Sequence, residues 1–271
     1  MKIAWHGKHF GEEPPLVGSK NQGAGAVFFS GCNLRCCFCQ NHQISQQNIG
    51  RDYSVSQLAE IFLQLQKDNA ATIDLVTPTI WWRDIREAVL SAREKGLRLP
   101  IVWNSNGFES EETLKQLGDI VDVYLPDFKY VINETGEKYS GIKNYSKIAQ
   151  AALSEMLRQK GDLLLDERGI AKSGVLVRHL VLPNNLENSF KTLDILAKID
   201  HNLFISLMCQ YKPLHQYYRF PELGREVTEK EFEQVADHFF DIGLKNGFIQ
   251  EYGGSDNLIP DFSKEEPFKT V

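Results

Sequence analysis

The chain has 271 residues and a formal net charge of −6, from 36 acidic and 30 basic side chains. That balance gives no reason to expect nucleic acid or an anionic membrane surface as the main partner. No apolar run approaches the roughly 20 residues that span a bilayer. The first ten residues also lack the apolar core of a secretory signal, so we expect a cytoplasmic protein.

Apolar stretches alternate with amphipathic ones along the chain. Continuous apolar runs predict six strands, at residues 26–30, 72–76, 100–103, 121–125, 175–182 and 203–208. Apolar residues at helical spacing predict six helices, at residues 56–66, 85–95, 111–117, 145–159, 186–199 and 229–241. This alternation predicts an α/β fold with a parallel sheet covered by helices. Six units favour a partial (β/α)6 barrel over a closed eightfold one.

No linker divides the chain, so we expect a single domain. Residues 1–25 would form an N-terminal arm, residues 26–243 the partial barrel, and residues 244–271 a C-terminal extension that frays from Ser263 onward. The arm contains His6, His9, Glu12 and Glu13. No supporting metal-ligand spacing accompanies them, so we expect a solvated arm that packs under the barrel.

Distinctive polar segments follow the predicted strands at their carboxyl ends, where parallel α/β folds place their chemistry. We therefore expect these segments to converge on one site. In chain order they are the cysteine-rich loop after residue 30, residues 77–79, residues 104–109, residues 126–129, residues 178–179 and residues 209–211.

Four of the five cysteines lie within eight residues, and Cys32, Cys36 and Cys39 have the spacing C-x3-C-x2-C. A [4Fe–4S] cube normally takes four thiolates, so three would leave one iron open to a substrate or cofactor. A structural zinc site needs a fourth ligand, which His42 could supply, so a non-catalytic zinc-binding protein is the alternative. Cys37, between two ligands, is expected to be a spare buried thiol.

The motif and its surroundings resemble those of the radical SAM superfamily. GCNLRCCFCQN, at residues 31–41, is similar to the loop of pyruvate formate-lyase activating enzymes, and the whole chain looks like the uncharacterised activating-enzyme-like relatives. Residues 11–32, 119–130, 138–145 and 176–185 also resemble that subgroup. The resemblance identifies the expected domain, over residues 1–271, as a single radical SAM domain.

That resemblance implies an oxidoreductase with a [4Fe–4S] cluster and S-adenosyl-L-methionine (SAM). The cluster, on the three cysteines, would take its electron from reduced flavodoxin or ferredoxin and cleave SAM to a 5′-deoxyadenosyl radical. The radical would abstract hydrogen from a substrate. For a glycyl radical activase the substrate is a glycine of a partner enzyme; the alternatives are another peptide or a small molecule.

The resemblance also assigns residues to SAM. Phe38 would pack beside the adenine, unless it is plain core. Thr77 and Thr79 stand where most members carry a Gly-Gly-Glu-like turn that holds the SAM amino group, and their hydroxyls could substitute. Asn104 and Asn106 resemble the Thr-Asn-Gly turn that lies along SAM, although Asn and Gly also suit an ordinary loop.

Four further residues complete the expected site. Asp127 and Lys129 match an Asp-x-Lys pair near SAM and the substrate; the alternative is a solvated surface pair worth under about 1 kcal/mol. Arg178 and His179 are adjacent on a predicted strand and face opposite sides. The resemblance to the activating enzymes' Val-Arg strand predicts Arg178 in the pocket and His179 packed outside it. Gln210 is expected at the end of the sixth strand, beside Tyr211.

Overall fold

A computed structural model describes residues 1–253 and 259–268. Its strands are β1 (Lys2–His9), β2 (Ala24–Phe29), β3 (Arg51–Asp52), β4 (Ile73–Val76), β5 (Ile101–Ser105), β6 (Val123–Pro126), β7 (Leu164–Leu165), β8 (Ala171–Leu180), β9 (Phe204–Met208) and β10 (Gly247–Ile249). Its α-helices are α1 (Pro14–Val17), α2 (His42–Ser45), α3 (Val55–Lys67), α4 (Trp82–Glu94), α5 (Glu111–Leu117), α6 (Asn133–Ser140), α7 (Tyr145–Lys160), α8 (Leu186–Ile199) and α9 (Glu229–Asp241).

The strands form one sheet in the order β10-β9-β8-β6-β5-β4-β2-β1-β3, with β7 paired to β8. Every pair from β2 to β10 along this order is parallel, whereas β1 is antiparallel to β2 and to β3. The order gives β3 and β10 one neighbour each, so the barrel is not closed. The expected α/β class with a partial barrel is confirmed. No helix in the described ranges is long and apolar enough to cross a bilayer.

All six predicted strands and all six predicted helices are present, as β2, β4, β5, β6, β8 and β9 and as α3, α4, α5, α7, α8 and α9. Local chemistry explains where they begin. At α3, for example, the Ser54 hydroxyl accepts from the Gln57 amide and the Gln57 side chain accepts from the Ser54 amide. This capping box satisfies donors that the first helical turn leaves free. The apolar face of α3 then packs into the core that fills the space between sheet and helices.

The N-terminal residues are part of the sheet and of the barrel interior. Strand β1 pairs along the whole of β2. Residues 11–17, which we call the floor segment, follow β1 and include α1. Leu16 is fully buried among residues near the amino ends of three strands, Val102, Val123 and Phe204. The Thr72 hydroxyl donates to the Leu16 carbonyl at 2.9 Å. The floor segment therefore closes the amino end of the barrel. The N-terminal arm packs under the barrel as expected, but Glu13 and Leu16 are buried, so the expectation that it is solvated is wrong there.

The C-terminal residues pack against the N-terminal strands β1 and β2. Phe262 and Phe268 both contact Phe28, with ring centroids 5.5 and 5.2 Å away, and Phe268 also meets Trp5 at 5.1 Å. The tail was expected to fray from Ser263 onward, but its residues up to 268 are held by these aromatic contacts; residues 269–271 lie outside the described residues.

Candidate active site

One cavity, which we call the central cavity, lies at the carboxyl ends of the parallel strands and has a volume of about 220 Å³. It gathers eleven of the twelve residues singled out in the sequence: Cys32, Cys36, Phe38, Cys39, Thr77, Asn104, Asn106, Asp127, Lys129, Arg178 and Gln210. Strand ends separated by long stretches of sequence meet there because β2, β4, β5, β6, β8 and β9 all run the same way. The expected convergence is observed.

The cysteine loop between β2 and α2 is fixed to the rest of the barrel by its backbone. The amide of Arg35 donates to the Ser140 carbonyl at 3.1 Å, and the amide of Cys37 donates to the Tyr139 carbonyl at 2.8 Å. Both acceptors belong to the last turn of α6, whose carbonyls have no partner within the helix. The shape of the loop is therefore held in part by the end of α6.

Each of the three motif thiols also has a polar neighbour. Asn106 Nδ2 donates to Cys32 Sγ at 3.3 Å. The Ser140 hydroxyl donates to Cys36 Sγ at 2.9 Å, and Cys39 Sγ lies 3.2 Å from the Ser45 hydroxyl. Hydrogen bonds of this kind orient thiolate ligands and tune the metal that they hold.

The donor set fits a positively charged iron core. Burial raises the pKa of Cys36, and the neighbouring Cys32 thiolate opposes its ionisation while Lys129 favours it. Burial and the Cys36 thiolate raise the pKa of Cys39 to about 12. The raised pKa values of Cys36 and Cys39 disfavour their thiolates in the protein alone, whereas a metal deprotonates its thiol ligands outright. A positively charged cluster would therefore supply the charge that these buried sulfurs need to ionise.

Two residues near the motif, His42 and Cys37, could be mistaken for metal ligands, but neither lines the central cavity. The His42 ring stacks on His215 with centroids 4.7 Å apart, and His42 is not among the residues that line the central cavity. Cys37 is buried, and burial raises its pKa to about 12. Within the described ranges, no three His, Cys, Asp or Glu side chains are grouped around a single metal position. A cube offers a different iron to each thiolate, so its ligands need not converge on one point.

The ends of β4 and β5 are tied to each other and to the cysteine loop. The amide of Thr77 donates to the Asn104 carbonyl at 2.9 Å, and Thr77 has φ 59°, an uncommon conformation for a β-branched residue. Asn106 Nδ2 donates to Asn33 Oδ1 at 2.6 Å as well as to Cys32. The turn that contains Asn106, after β5, is therefore oriented by its hydrogen bonds to the cysteine loop.

Thr79 is the one proposed site residue that does not reach the central cavity. Its hydroxyl donates to Glu109 Oε1 at 2.8 Å, and the same oxygen accepts from Trp103 Nε1 at 2.8 Å. A 3-10 turn at Thr79–Trp81 follows Pro78 and turns the chain away from the cavity. Thr79 was predicted in the site because it follows the end of a strand. That position does not determine the direction in which the next turn leads the chain.

Asp127 lies between two cations. Lys129 Nζ is 2.6 Å from Asp127 Oδ2, and Arg178 Nε is 3.2 Å from Oδ1. The three side chains are only 15 to 19% exposed, so the alternative of a solvated surface pair is wrong. Burial works against the Asp127 charge, but Lys129 and Arg178 outweigh it and lower the Asp127 pKa. Asp127 is an anion at neutral pH and can hold donors within the cavity.

Arg178 also binds a residue that sequence reasoning did not place in the site. Its Nη1 lies 3.0 Å from Glu12 Oε2, and its Nη2 donates to Asn104 Oδ1. Glu12 lines the central cavity together with His9 and Phe268. The sequence shows Glu12 as one of two acids before a proline, a composition typical of a solvated turn. Nothing local signals that its partner lies 166 residues later.

Phe38 and the end of β9 form the aromatic wall of the cavity. The Phe38 ring meets the Tyr211 ring edge-on with centroids 5.7 Å apart, and the Tyr211 hydroxyl donates to the Leu223 carbonyl at 2.8 Å. Gln210 lies beside them, and its Oε1 accepts from Gln250 Nε2 at 3.2 Å. The wall combines flat apolar surface with one amide, a combination suited to a heteroaromatic ring.

His179 faces the opposite side of β8 from Arg178, as their adjacency requires. The His179 Nδ1 lies 2.7 Å from the Phe128 carbonyl, and Nε2 lies 2.9 Å from the Ser189 hydroxyl on α8. A carbonyl only accepts, so Nδ1 carries the proton and Nε2 accepts from Ser189. Burial lowers the His179 pKa from 6.5 to about 4.

His179 is expected to make the protein acid-sensitive. In the unfolded chain it takes up a proton as the pH falls below 6.5, but in the folded protein it does so only near pH 4. Its contribution is therefore complete above pH 6.5 and is lost between pH 6.5 and 4, up to about 3 kcal/mol. Urea midpoints between pH 7.5 and 4.5 should fall less in His179→Gln than in the wild type. The exposed His201, changed to Gln, should keep the wild-type slope; equal slopes for all three proteins would contradict the assignment.

Comparisons with known proteins identify a family and a shared fold. A family model described as Radical SAM superfamily matches residues 26–161, half of the chain. The uncharacterized protein MJ0674 of Methanocaldococcus jannaschii is 34% identical over 239 residues, covering 84% of this chain and 64% of its own length. The chain thus spans less than two thirds of that relative.

Solved structures share the fold at low identity. SuiB of Streptococcus suis bound to its precursor peptide SuiA has a TM-score of 0.59 and 12% identity, over 82% of this chain and 47% of SuiB. The structure of SuiB bound to S-adenosylmethionine has a TM-score of 0.55 and 11% identity, over 83% of this chain and 48% of SuiB. At such identities the likeness concerns the architecture of the barrel.

Proposed function

The chain belongs to the radical SAM superfamily, and from that premise we propose that it is an activating-enzyme-like oxidoreductase whose Cys32, Cys36 and Cys39 hold the cluster. A [4Fe–4S] cluster and SAM are the cofactors of the family, and together they supply a 5′-deoxyadenosyl radical that removes hydrogen from the substrate. The substrate that we propose is a glycine of a partner enzyme. The reductant that we propose is reduced flavodoxin or ferredoxin.

The observation that carries the proposal is the set of three thiols on one loop at the central cavity. All three line it, each has a polar neighbour, and the fourth candidate ligand, His42, stacks on His215 instead. A structural zinc site would enclose its metal with four ligands. Three thiols beside a cavity instead leave one position open for a second molecule, which supports a catalytic cluster over a zinc scaffold.

The chain's own residues would bind and orient the second molecule. Phe38, with Tyr211 behind it, offers a flat apolar wall to an adenine. Thr77 and Asn104, joined by a backbone hydrogen bond, would lie along the amino acid part of SAM. Asn106 donates to Cys32 and therefore links the SAM turn to a cluster ligand. Arg178 and Gln210 line the same space and would contact SAM from β8 and β9.

Asp127 and Lys129 would serve the substrate. They form an ion pair at 2.6 Å within the cavity, and Lys129 also acts electrostatically on Cys36. A fixed carboxylate accepts hydrogen bonds and a fixed ammonium donates them. Together they suit the N–H and C=O groups of the amides on either side of a glycine. Phe28, Phe268 and Leu180 add apolar surface that excludes water from a reactive intermediate.

The test of the central proposal is anaerobic reconstitution with iron and sulfide, followed by dithionite and SAM. We expect four irons and four sulfides per chain and formation of 5′-deoxyadenosine. Reduced flavodoxin or ferredoxin should replace dithionite. Stoichiometric zinc with no 5′-deoxyadenosine would overturn the proposal in favour of the zinc-binding alternative.

A second experiment separates a protein substrate from a small molecule. An anaerobic extract of the source organism is divided by ultrafiltration, and each fraction is added to the reconstituted protein. For an activase, the protein fraction alone should raise 5′-deoxyadenosine formation and should acquire the electron paramagnetic resonance doublet of a glycyl radical. Stimulation by the small-molecule filtrate, without that doublet, would point to a small-molecule enzyme.

A further inference from the structure

Asp74 is a fully buried acid on β4 that the proposed function does not use. Its Oδ2 accepts from Asn104 Nδ2 at 3.4 Å. Glu12 acts electrostatically on the Asp74 carboxyl. Burial raises the Glu12 pKa, and a hydrogen bond from Asp74 is among the interactions that oppose this rise. Within the described ranges no donor reaches Asp74 Oδ1. A buried carboxylate oxygen without a donor is costly, so this oxygen needs an explanation.

A proton on Asp74 supplies that explanation. A neutral acid donates through its hydroxyl, and the neighbouring carboxylate of Glu12 is an acceptor. Two carboxylates in contact inside a protein cannot both be ionised without a large penalty. Glu12 is the member that keeps its charge, because Arg178 Nη1 lies 3.0 Å from its Oε2, whereas none of the ion pairs among the described residues includes Asp74.

The Asn104 amide fixes the direction of the remaining hydrogen bonds. Its Oδ1 accepts from Arg178 Nη2, so its Nδ2 must be the group that points to Asp74. The hydrogen bonds then close into a ring: Asp74 donates to Glu12, Arg178 donates to Glu12 and to Asn104, and Asn104 donates to Asp74. Every member has the donor or acceptor that its neighbour needs.

We infer that Asp74 is a neutral carboxylic acid at pH 7, and that this four-residue ring positions Arg178 in the central cavity. One anion and one cation remain in the ring, so it is electrically neutral; an ionised Asp74 would add an unpaired charge. Burial, together with the Glu12 carboxylate, raises the Asp74 pKa well above its usual value and so supports the same assignment.

Other charged groups face the ring from several elements. Glu13 of the floor segment acts on both Asp74 and Arg178, and Asp127 accepts from Arg178 Nε at 3.2 Å. The His9 ring lies 3.9 Å from Glu12 Oε1, and burial lowers its pKa to about 4, so it is neutral at pH 7. The negative groups in this set favour the proton on Asp74. Asp74 is a positioning residue, and its effect on SAM or substrate rests on the proposed function.

Infrared spectroscopy tests the protonation state without any cofactor. A protonated carboxyl gives a carbonyl band that shifts in D2O, and Glu13 and Glu109 are other buried acids that could contribute to it. The wild-type minus Asp74→Asn difference spectrum at pH 7.5 isolates Asp74. We expect loss of one such band. Loss of a carboxylate band instead would overturn the inference.

Stability provides a matched set of variants. Asn at position 74 can donate to Glu12 and accept from Asn104, so Asp74→Asn should melt close to the wild type. Asp74→Ala leaves both partners unsatisfied and should lower Tm by roughly 5 °C. Glu12→Gln removes the anion that pairs with Arg178 and should lower Tm by roughly 10 °C. Equal losses for Asp74→Asn and Asp74→Ala would show that the ring needs a carboxylate there.

Activity separates this inference from the proposed function. In the reconstituted protein, 5′-deoxyadenosine formation should fall in Asp74→Ala and be rescued in Asp74→Asn. Rescue by the neutral asparagine supports the ring. If Asp74→Asn stays as inactive as Asp74→Ala while the infrared spectrum shows a protonated Asp74, the positioning role of Asp74 is overturned. If the wild type forms no 5′-deoxyadenosine, the proposed function fails, while the infrared spectrum and the melting temperatures still decide the state of Asp74.

Discussion

Cys36→Ala should abolish formation of 5′-deoxyadenosine, with a loss well beyond the roughly 100-fold that follows from removing an outer neighbour of a metal ligand. Cys36 is buried and accepts a hydrogen bond from Ser140, so no solvent molecule can readily replace its sulfur. The measurement is iron and sulfide content after anaerobic reconstitution, with the nucleoside product quantified by chromatography. Both should be lost together.

Cys37→Ala is the matched control, because Cys37 is adjacent, also buried and chemically identical. It is not among the residues that line the central cavity, and its backbone rather than its sulfur binds Tyr139 and Gln216. We expect full iron content and product formation within about threefold of the wild type, since a small buried thiol is closely mimicked by alanine. Loss of the cluster in Cys37→Ala and its retention in Cys36→Ala would mean that the ligand set is wrong.

Arg178→Met is expected to cost about 3–5 kcal/mol of folding free energy, because it leaves buried carboxylates without their cation. Arg178 pairs with Glu12 and Asp127, and its side chain is only 15% exposed. For a chain of this size the loss corresponds to a fall in Tm of roughly 10 °C. Calorimetry at pH 7.5 on the protein without cofactors measures it directly.

Arg86→Met provides the comparison. Arg86 makes the same kinds of bond, to Asp119 at 2.6 Å and to the Gln116 carbonyl at 2.9 Å, but its side chain and that of Asp119 are 36 and 50% exposed. Water can solvate both groups after the substitution, so the cost should stay under about 1 kcal/mol. Similar losses in the two variants would show that burial of the Arg178 cluster does not raise its importance for folding.

The elements of the barrel could be predicted because each carries a local signal. The bounds of α8, Leu186–Ile199, were predicted to the residue, since Pro183 ends the preceding strand and the apolar residues then follow helical spacing. Strand β1 was missed because its apolar residues, Ile3, Ala4 and Trp5, are consecutive and polar residues with a glycine follow, so the alternation typical of a half-buried strand is absent. Its pairing with β2 supplies hydrogen bonds that no local pattern records.

The residues of the site also fall into two groups, those that the sequence could place and those that it could not. Residues at strand ends, such as Asp127 and Arg178, could be expected near the cysteines because parallel strands end at one edge. Glu12 and Asp74 could not be, since an acid before a proline and an acid within an apolar strand carry no sign of their partners. Their placement depends on the floor segment entering the barrel, which is a consequence of tertiary packing by Leu16. The prediction for Thr79 was wrong in the opposite sense: it was expected in the site, but a short turn after β4 directs it away from the cavity.

The floor segment also bears on how the protein is made. Glu12 leaves the ribosome 166 residues before Arg178, an interval of roughly 10–30 s at ordinary rates of translation. During that time the segment has no barrel to enter, and Leu16 has no apolar partners from β8 or β9. Contacts of such long sequence separation form late and slow a folding reaction. The floor segment is thus synthesised before the later strands that it seals, and we expect it to be one of the last parts of the barrel to reach its native position.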